Sequence, residues 1–188
     1  MNRAELARSI VERALLRGQF VLRSGTTSST YWDKYRFESD PGLLRVIADE
    51  LVRLLPASFD KLAGLELGGI PLATAVALTT GRPQLFVRKQ AKTYGTANLV
   101  EGGFVPGEVA VVVEDVVTSG GQVVDSVEQL RALGLVVQNA ICVIDREQGG
   151  RQRLAQIGCS LAAAFTISEI ERLTAESGAP ADPPTPTA

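Results

Sequence analysis

The sequence predicts an α/β fold, an open and mainly parallel sheet flanked by helices. Three observations predict it. From Lys61 onward, short strand-like runs alternate with helical stretches, the pattern of βαβ units. The run EVAVVVED, residues 108–115, shows no polar alternation, as expected of a strand buried on both faces. Chemically loaded residues follow three of the runs, at Glu66-Leu67-Gly68-Gly69, Glu114 to Gly121 and Asp145-Arg146. Open α/β sheets bind ligands beyond such strand ends.

Taken in order, Asn2 and Glu5 form a capping-box pattern before Leu6, Ile10, Val11, Ala14 and Leu15 at helical spacing. Gly18 is expected to end this helix. Residues 20–25 (FVLRSG) and the segment around Tyr31-Trp32-Asp33 read as short strands or a hairpin. Asp40-Pro41 opens a second helix as N-cap and first-turn proline, with a stripe of Leu44, Ile47, Leu51 and Leu54-Leu55. Then come a strand at KLAGLEL, an apolar helix from Ile70 to Thr80 and a strand at QLFVRK. EVAVVVED is followed by a helix from Gln122 to Leu133, with Val123, Val127 and Leu130 on one face and Gly134 closing it. VVQNAICVID and SLAAAFT are strands, and Ser168 with Glu171 caps a final helix. The expected organisation is 1–40 as N-terminal helix and hairpin, 41–176 as core, and 177–188 as a disordered Pro/Ala/Thr-rich tail.

The chain has 188 residues, 45% hydrophobic and 21% charged, which suits one globular domain. A formal charge of −2 argues against nucleic acid as a partner. No apolar run approaches the length of a membrane span, and the charged N-terminus lacks a signal core. These features predict a cytoplasmic protein with no membrane partner. Cys142 and Cys159 lie in apolar runs without a CxxC, so they read as buried thiols. There is no histidine. That removes Ser-His-Asp triads and HExxH zinc sites together.

The stretch VVVEDVVTSGG, Val111 to Gly121, carries most of the chemical information. Thr118, Ser119, Gly120 and Gly121 stand between a strand and a helix. Free backbone N–H groups and a helix N-terminus favour a phosphate there. Neither GxxxxGK[ST] nor GxGxxG is present. Two carboxylates, Glu114 and Asp115, immediately precede the turn. A carboxylate ~4 Å from a phosphate charge would cost about 4 kcal/mol at an effective dielectric near 20. The acids are therefore expected to face hydroxyls or a developing cation, as a sugar phosphate would supply. From Leu67 to Val100 there is no Asp or Glu, while Arg82, Arg88, Lys89 and Lys92 fall in that stretch. A helix terminus contributes only about 0.3–1 kcal/mol to an anion. The basic stretch therefore fits a second, multiply charged phosphate group.

These residues resemble the type I phosphoribosyltransferases, whose phosphoribosyl-pyrophosphate (PRPP) signature VVVEDVVTSGG matches. FVLRSGTTSSTYWD, LGGIPLATAVAL, VRKQAKTYG and VIDREQGG resemble the hood, pyrophosphate loop, catalytic loop and base-binding strand end of the orotate-using branch. The resemblance runs from about residue 18 to 155. It implies a small N-terminal hood over the sheet. It implies that the backbone of Thr118, Ser119, Gly120, Gly121 and Gln122 holds the 5′-phosphate, with Val116 and Val117 also among the PRPP-binding residues. Glu114 and Asp115 would bind the ribose hydroxyls and stabilise an oxocarbenium-like transition state, and Leu67-Gly68 would contact pyrophosphate. Arg23, Arg88, Lys89, Lys92 and Tyr94 would serve the PRPP and pyrophosphate end, with Lys92 catalytic. Tyr31, Trp32, Thr118 and Arg146 would surround orotate, the Arg146 fork gripping its carboxylate.

Mg²⁺ would bind through substrate oxygens rather than a protein cage, and a homodimer would share the catalytic loop across its interface. In three places the chain departs from many members. Tyr94 stands for a histidine, Gly68 for a lysine and Arg23 for a lysine. Two alternatives remain at this stage: another acceptor base, or a non-catalytic PRPP sensor. An arginine that merely pairs with the strand-end Asp145 would favour the first.

Overall fold

The computed structural model describes residues 1–21, 25–89 and 99–175. Helix α1 (Arg3–Ala14) is followed by a hairpin of β1 (Leu15–Val21) and β2 (Thr27–Trp32) and a single-turn helix α2 (Tyr35–Glu38). Then come α3 (Pro41–Val52), β3 (Lys61–Leu65), α4 (Gly69–Thr80), β4 (Gln84–Val87), β5 (Val100–Glu101) and β6 (Val109–Val117). The rest is α5 (Gly121–Ala132), β7 (Val136–Asp145), α6 (Gly150–Gln156), β8 (Ser160–Thr166) and α7 (Ile167–Ala175). The main sheet has the order β5-β4-β3-β6-β7-β8. Every pairing in it is parallel except β4 with β5.

Strand β6 is central and buried on both sides, as its unbroken apolar run predicts. Val111 and Val113 enter one core with Ile10, Ile47, Leu51, Leu72 and Phe165. Ala110 and Val112 enter the other with Val127, Leu130 and Leu154. Helices α1, α3, α4 and α7 thus cover one face, and α5 and α6 the other. Because α1 contributes Leu6, Ala7, Ile10 and Ala14 to the first core, the N-terminal segment is packed into the same body as the sheet.

Several expected boundaries shift. Helix α1 has the Asn2/Glu5 capping box but ends at Ala14, not Gly18. Gly18 instead falls in β1, where the register slips between Arg17 and Phe20. Helix α3 has Asp40 as N-cap, accepting from the Gly42 and Leu43 N–H groups. It buries Leu43, Ile47 and Leu51, so the stripe begins at Leu43 and Leu44 lies at its margin. Helix α7 lacks the expected Ser168/Glu171 box. Thr166 Oγ1 accepts from the Glu169 N–H at 3.2 Å, and the Ser168 N–H is turned to Glu147 at 3.0 Å. Helices α2 and α6 are too short to leave a periodic apolar signal. Cys142 and Cys159 are free, buried thiols, and burial pushes both up from the usual thiol range. No helix among the described residues is long and apolar enough to cross a membrane.

Candidate active site

Strands β3, β6 and β7 are adjacent and parallel, so their loaded carboxyl ends lie side by side. Neighbouring strands are about 4.8 Å apart, so the loops after β6 and β7 border one opening, with the β3 loop beside it. A cavity of about 420 Å³ sits there, lined by Trp32, Lys34, Glu114, Arg146, Val123 and the whole turn from Val116 to Gln122.

The turn's shape depends on glycine. Gly120 has φ +75°, a left-handed conformation that costs a side-chain-bearing residue. A Cβ on it would lie 2.9 Å from Gly150 Cα. Gly150 is equally constrained, since a Cβ there would meet Thr118 O at 2.7 Å. Its N–H donates to that same carbonyl at 3.1 Å. The two glycine-rich turns therefore lean on each other, and Gly121 starts α5 with its amides facing the opening.

The two acids sit close together at the end of β6. Glu114 lines the cavity beside the turn. Asp115 is fully buried, against the start of α4. Lys34 Nζ lies 2.8 Å from Asp115 Oδ1, to which it donates, and 2.7 Å from Oδ2. Glu38, from α2, is buried beside Asp115. Neither Glu38 Oε1 nor Asp115 Oδ2 has another hydrogen-bond partner among the described residues. Burial, reinforced by the Asp115 charge, pushes Glu38 up to about 9. Burial and the same charge push Glu114 well above the usual carboxylate range. Burial pulls Lys34 down, yet the charge and hydrogen bond of Asp115 carry it above an ordinary lysine. One ion pair thus stands beside two carboxyls whose hold on a proton is strengthened by burial.

The same packing accounts for Gly68. A Cβ there would fall 1.7 Å from Asp115 Oδ2 and 2.8 Å from Glu38 Oε1. A Cβ on Gly69 would meet the Val113 carbonyl at 2.2 Å, so α4 starts in direct contact with β6.

Arg146 is the second cation on the cavity. The Asp145 carboxylate does not pair with it. Asp145 accepts from the Glu147 N–H at 2.9 Å and from Arg151 Nε at 3.2 Å. Arg146 makes no ion pair among the described residues, and its Nε is buried without a partner. Its guanidinium lies 5.9 Å from the Trp32 ring centroid.

Of the other expected residues, Tyr31 does not line the cavity. It stacks on Phe20 at 5.5 Å, because adjacent strand residues point to opposite faces. Leu67, Gly68, Arg88 and Lys89 border the β3 and β4 ends outside the cavity lining. Arg88 Nε is 3.9 Å from Glu101, and the Lys89 N–H donates to Glu66 at 2.9 Å. Gln122 ties the turn to the β3 end by donating to the Glu66 carbonyl at 3.3 Å. Arg23, Lys92, Tyr94 and the 177–188 tail lie outside the described residues. Sequence reasoning missed Lys34, Glu38 and Arg151. The one signal for Lys34 was a lysine directly after the hood strand.

A parallel sheet with an amide-rich turn after its central strand, an acidic pair on that strand and a glycine-led helix beside it define a type I phosphoribosyltransferase. No family model matches the chain, but individual relatives do. It is 48% identical over 168 residues to an orotate phosphoribosyltransferase of a Nocardioides species, covering 89% of this chain and 94% of that one. It is 48% identical over 153 residues to the Halobacterium salinarum orotate phosphoribosyltransferase, covering 81% and 87%. The crystal structure of the Aeropyrum pernix orotate phosphoribosyltransferase superposes with a TM-score of 0.76 at 35% identity, covering 92% and 99%. That of the Mycobacterium tuberculosis H37Rv enzyme in complex with PRPP gives 0.77 at 27% identity, covering 90% and 98%. The chain belongs to the orotate phosphoribosyltransferase family.

Proposed function

We infer that the chain transfers the 5-phosphoribosyl group of PRPP to orotate, giving orotidine 5′-phosphate and pyrophosphate in de novo pyrimidine (UMP) biosynthesis. The observation that carries this reading is Arg146, a cavity-facing guanidinium that no carboxylate among the described residues neutralises. A planar fork of that kind suits the carboxylate that distinguishes orotate from uncharged bases. Trp32 borders the same space and offers a flat apolar wall to the pyrimidine.

The other parts fit one sugar phosphate. The amides from Thr118 to Gln122 hold the 5′-phosphate. Glu114 accepts from ribose hydroxyls on the cavity side, with the ion pair of Lys34 and Asp115 behind it. As the bond from the anomeric carbon to the pyrophosphate oxygen breaks, positive charge grows on the sugar, and orotate's nitrogen forms the new bond. The chain contributes position and charge rather than proton transfer, which a protein without histidine can do. The Leu67-Gly68 amides receive the diphosphate. The family resemblance supports Arg23, Arg88, Lys89, Lys92 and Tyr94 as its further partners, and a homodimer in which the loop bearing Lys92 completes the neighbouring site.

Mg²⁺ fits as a companion of PRPP. The cavity-lining carboxyl among the described residues is Glu114, which leaves substrate oxygens as the main ligands. When bound, the ion would offset diphosphate charge. A cytoplasmic setting accords with two free thiols.

The test is direct. With protein, Mg²⁺ and PRPP, orotate absorbance should fall and stoichiometric pyrophosphate should appear. Turnover with uracil or a purine base, and none with orotate, would overturn the assignment of the base.

A further inference from the structure

We propose that Lys34 is a substrate-binding residue of this site, its ammonium held from behind by Asp115 and placed against the diphosphate oxygens of bound PRPP. The inference rests on the reading that the diphosphate sits at Leu67-Gly68.

Its position carries the argument. Lys34 lines the cavity with Glu114 and the 118–121 turn. Its side chain is 34% exposed, whereas the Asp115 side chain behind it is 0% exposed. A ligand entering the cavity therefore meets the ammonium before it meets Asp115. An ammonium has three donors. The two Asp115 oxygens at 2.8 and 2.7 Å engage one side of it, leaving donor capacity toward the opening.

Charge points the same way. If Glu38, Glu114 and Asp115 were all ionised, this corner would repel a diphosphate. Burial strengthens the hold of Glu38 and Glu114 on a proton, and Lys34 pairs with Asp115. The negative charge of the corner is thereby reduced, and it presents a cation outward.

Position 68 bears on why the cation comes from the residue that precedes α2. In this packing a side chain at residue 68 would overlap Asp115 Oδ2 and crowd Glu38 Oε1, at 1.7 and 2.8 Å from its Cβ. A lysine at 68 would have to displace these two carboxyl ends, and Lys34 reaches the same corner from the other side of Asp115. Arg146, the other cavity cation, is engaged over Trp32 at the base end, and the 5′-phosphate has the amide turn. The diphosphate is the anion left for Lys34.

The experiment compares PRPP with ribose 5-phosphate, which lacks the diphosphate, by titration calorimetry on the full chain. Lys34→Met should weaken PRPP about tenfold or more while leaving ribose 5-phosphate within about twofold. Lys34→Arg should recover most of the loss. Equal weakening of both ligands would overturn the proposal, as would a raised orotate KM with unchanged PRPP affinity. Removing the partner of a buried carboxylate can cost folding. The Lys34→Met/Asp115→Asn double variant removes both charges, and its selective loss for PRPP relative to Asp115→Asn alone must persist. A wild-type protein that binds PRPP no tighter than ribose 5-phosphate would refute the diphosphate subsite itself. A wild type that discriminates, with Lys34→Met discriminating equally, refutes only the role of Lys34.

Discussion

Arg151, in the first turn of α6, holds the Asp145 carboxylate through Nε at 3.2 Å and so leaves the neighbouring Arg146 to the cavity. An arginine after a strand-end aspartate could have been a local ion pair. Here the pair is made one helical turn later, where Arg151 also donates to the Leu161 carbonyl and braces β8. On the proposed reading of Arg146, base recognition is thereby separated from the scaffold that supports it.

Arg146→Ala should raise the KM for orotate by about tenfold to a hundredfold, the range for a hydrogen bond to a charged group. PRPP affinity should change little. Arg146→Lys should recover only part, since a point charge lacks the planar fork. Steady-state kinetics with each substrate varied separately checks this, and a matching loss for PRPP would count against it.

Gly120→Ala should cost about 1–3 kcal/mol of stability from its left-handed backbone, before the approach to Gly150 is counted. Affinity for ribose 5-phosphate should fall with it, because the amide turn loses its shape. Thermal melts and calorimetry read the two effects. An unaltered melting temperature would mean that the turn is not held as described.

Glu38 makes folding depend on pH. Its carboxyl is raised from an ordinary 4.5 to about 9, facing Asp115, Lys34 and Asp33. Between those values the folded chain keeps a proton that the unfolded chain has lost. The contribution is therefore fully present below about 4.5 and is lost as pH rises toward about 9. Glu38→Gln should flatten the fall of melting temperature between about pH 5 and about pH 9. Parallel curves for the two proteins would contradict a protonated Glu38.

Lys92→Ala should lower kcat far more than it weakens binding of orotidine 5′-phosphate, which lacks the leaving pyrophosphate. If the loop is shared across a dimer, mixing Lys92→Ala with Asp115→Ala protein should restore activity in hybrid dimers. Subunit exchange confirmed by differential tagging, with no recovered turnover, would argue for self-contained sites.

Much of the fold and half of the site can be read from local patterns. The double-faced burial of β6 follows from an unbroken valine run, and the amide turn from glycines between strand and helix. The cavity position of Arg146 follows from its place at a strand end. These are short-range consequences of backbone geometry and hydrophobicity, so the sequence by itself determined them. Lys34 and Asp115 are 81 positions apart, and no periodicity encodes their pairing. The raised proton affinity of Glu38 and Glu114, the tight fit around Gly68 and the choice of Arg151 for Asp145 come from desolvation and close packing. Those effects exist only once α2, α4 and α6 are seated against β6 and β7, and there the tertiary structure alone decided.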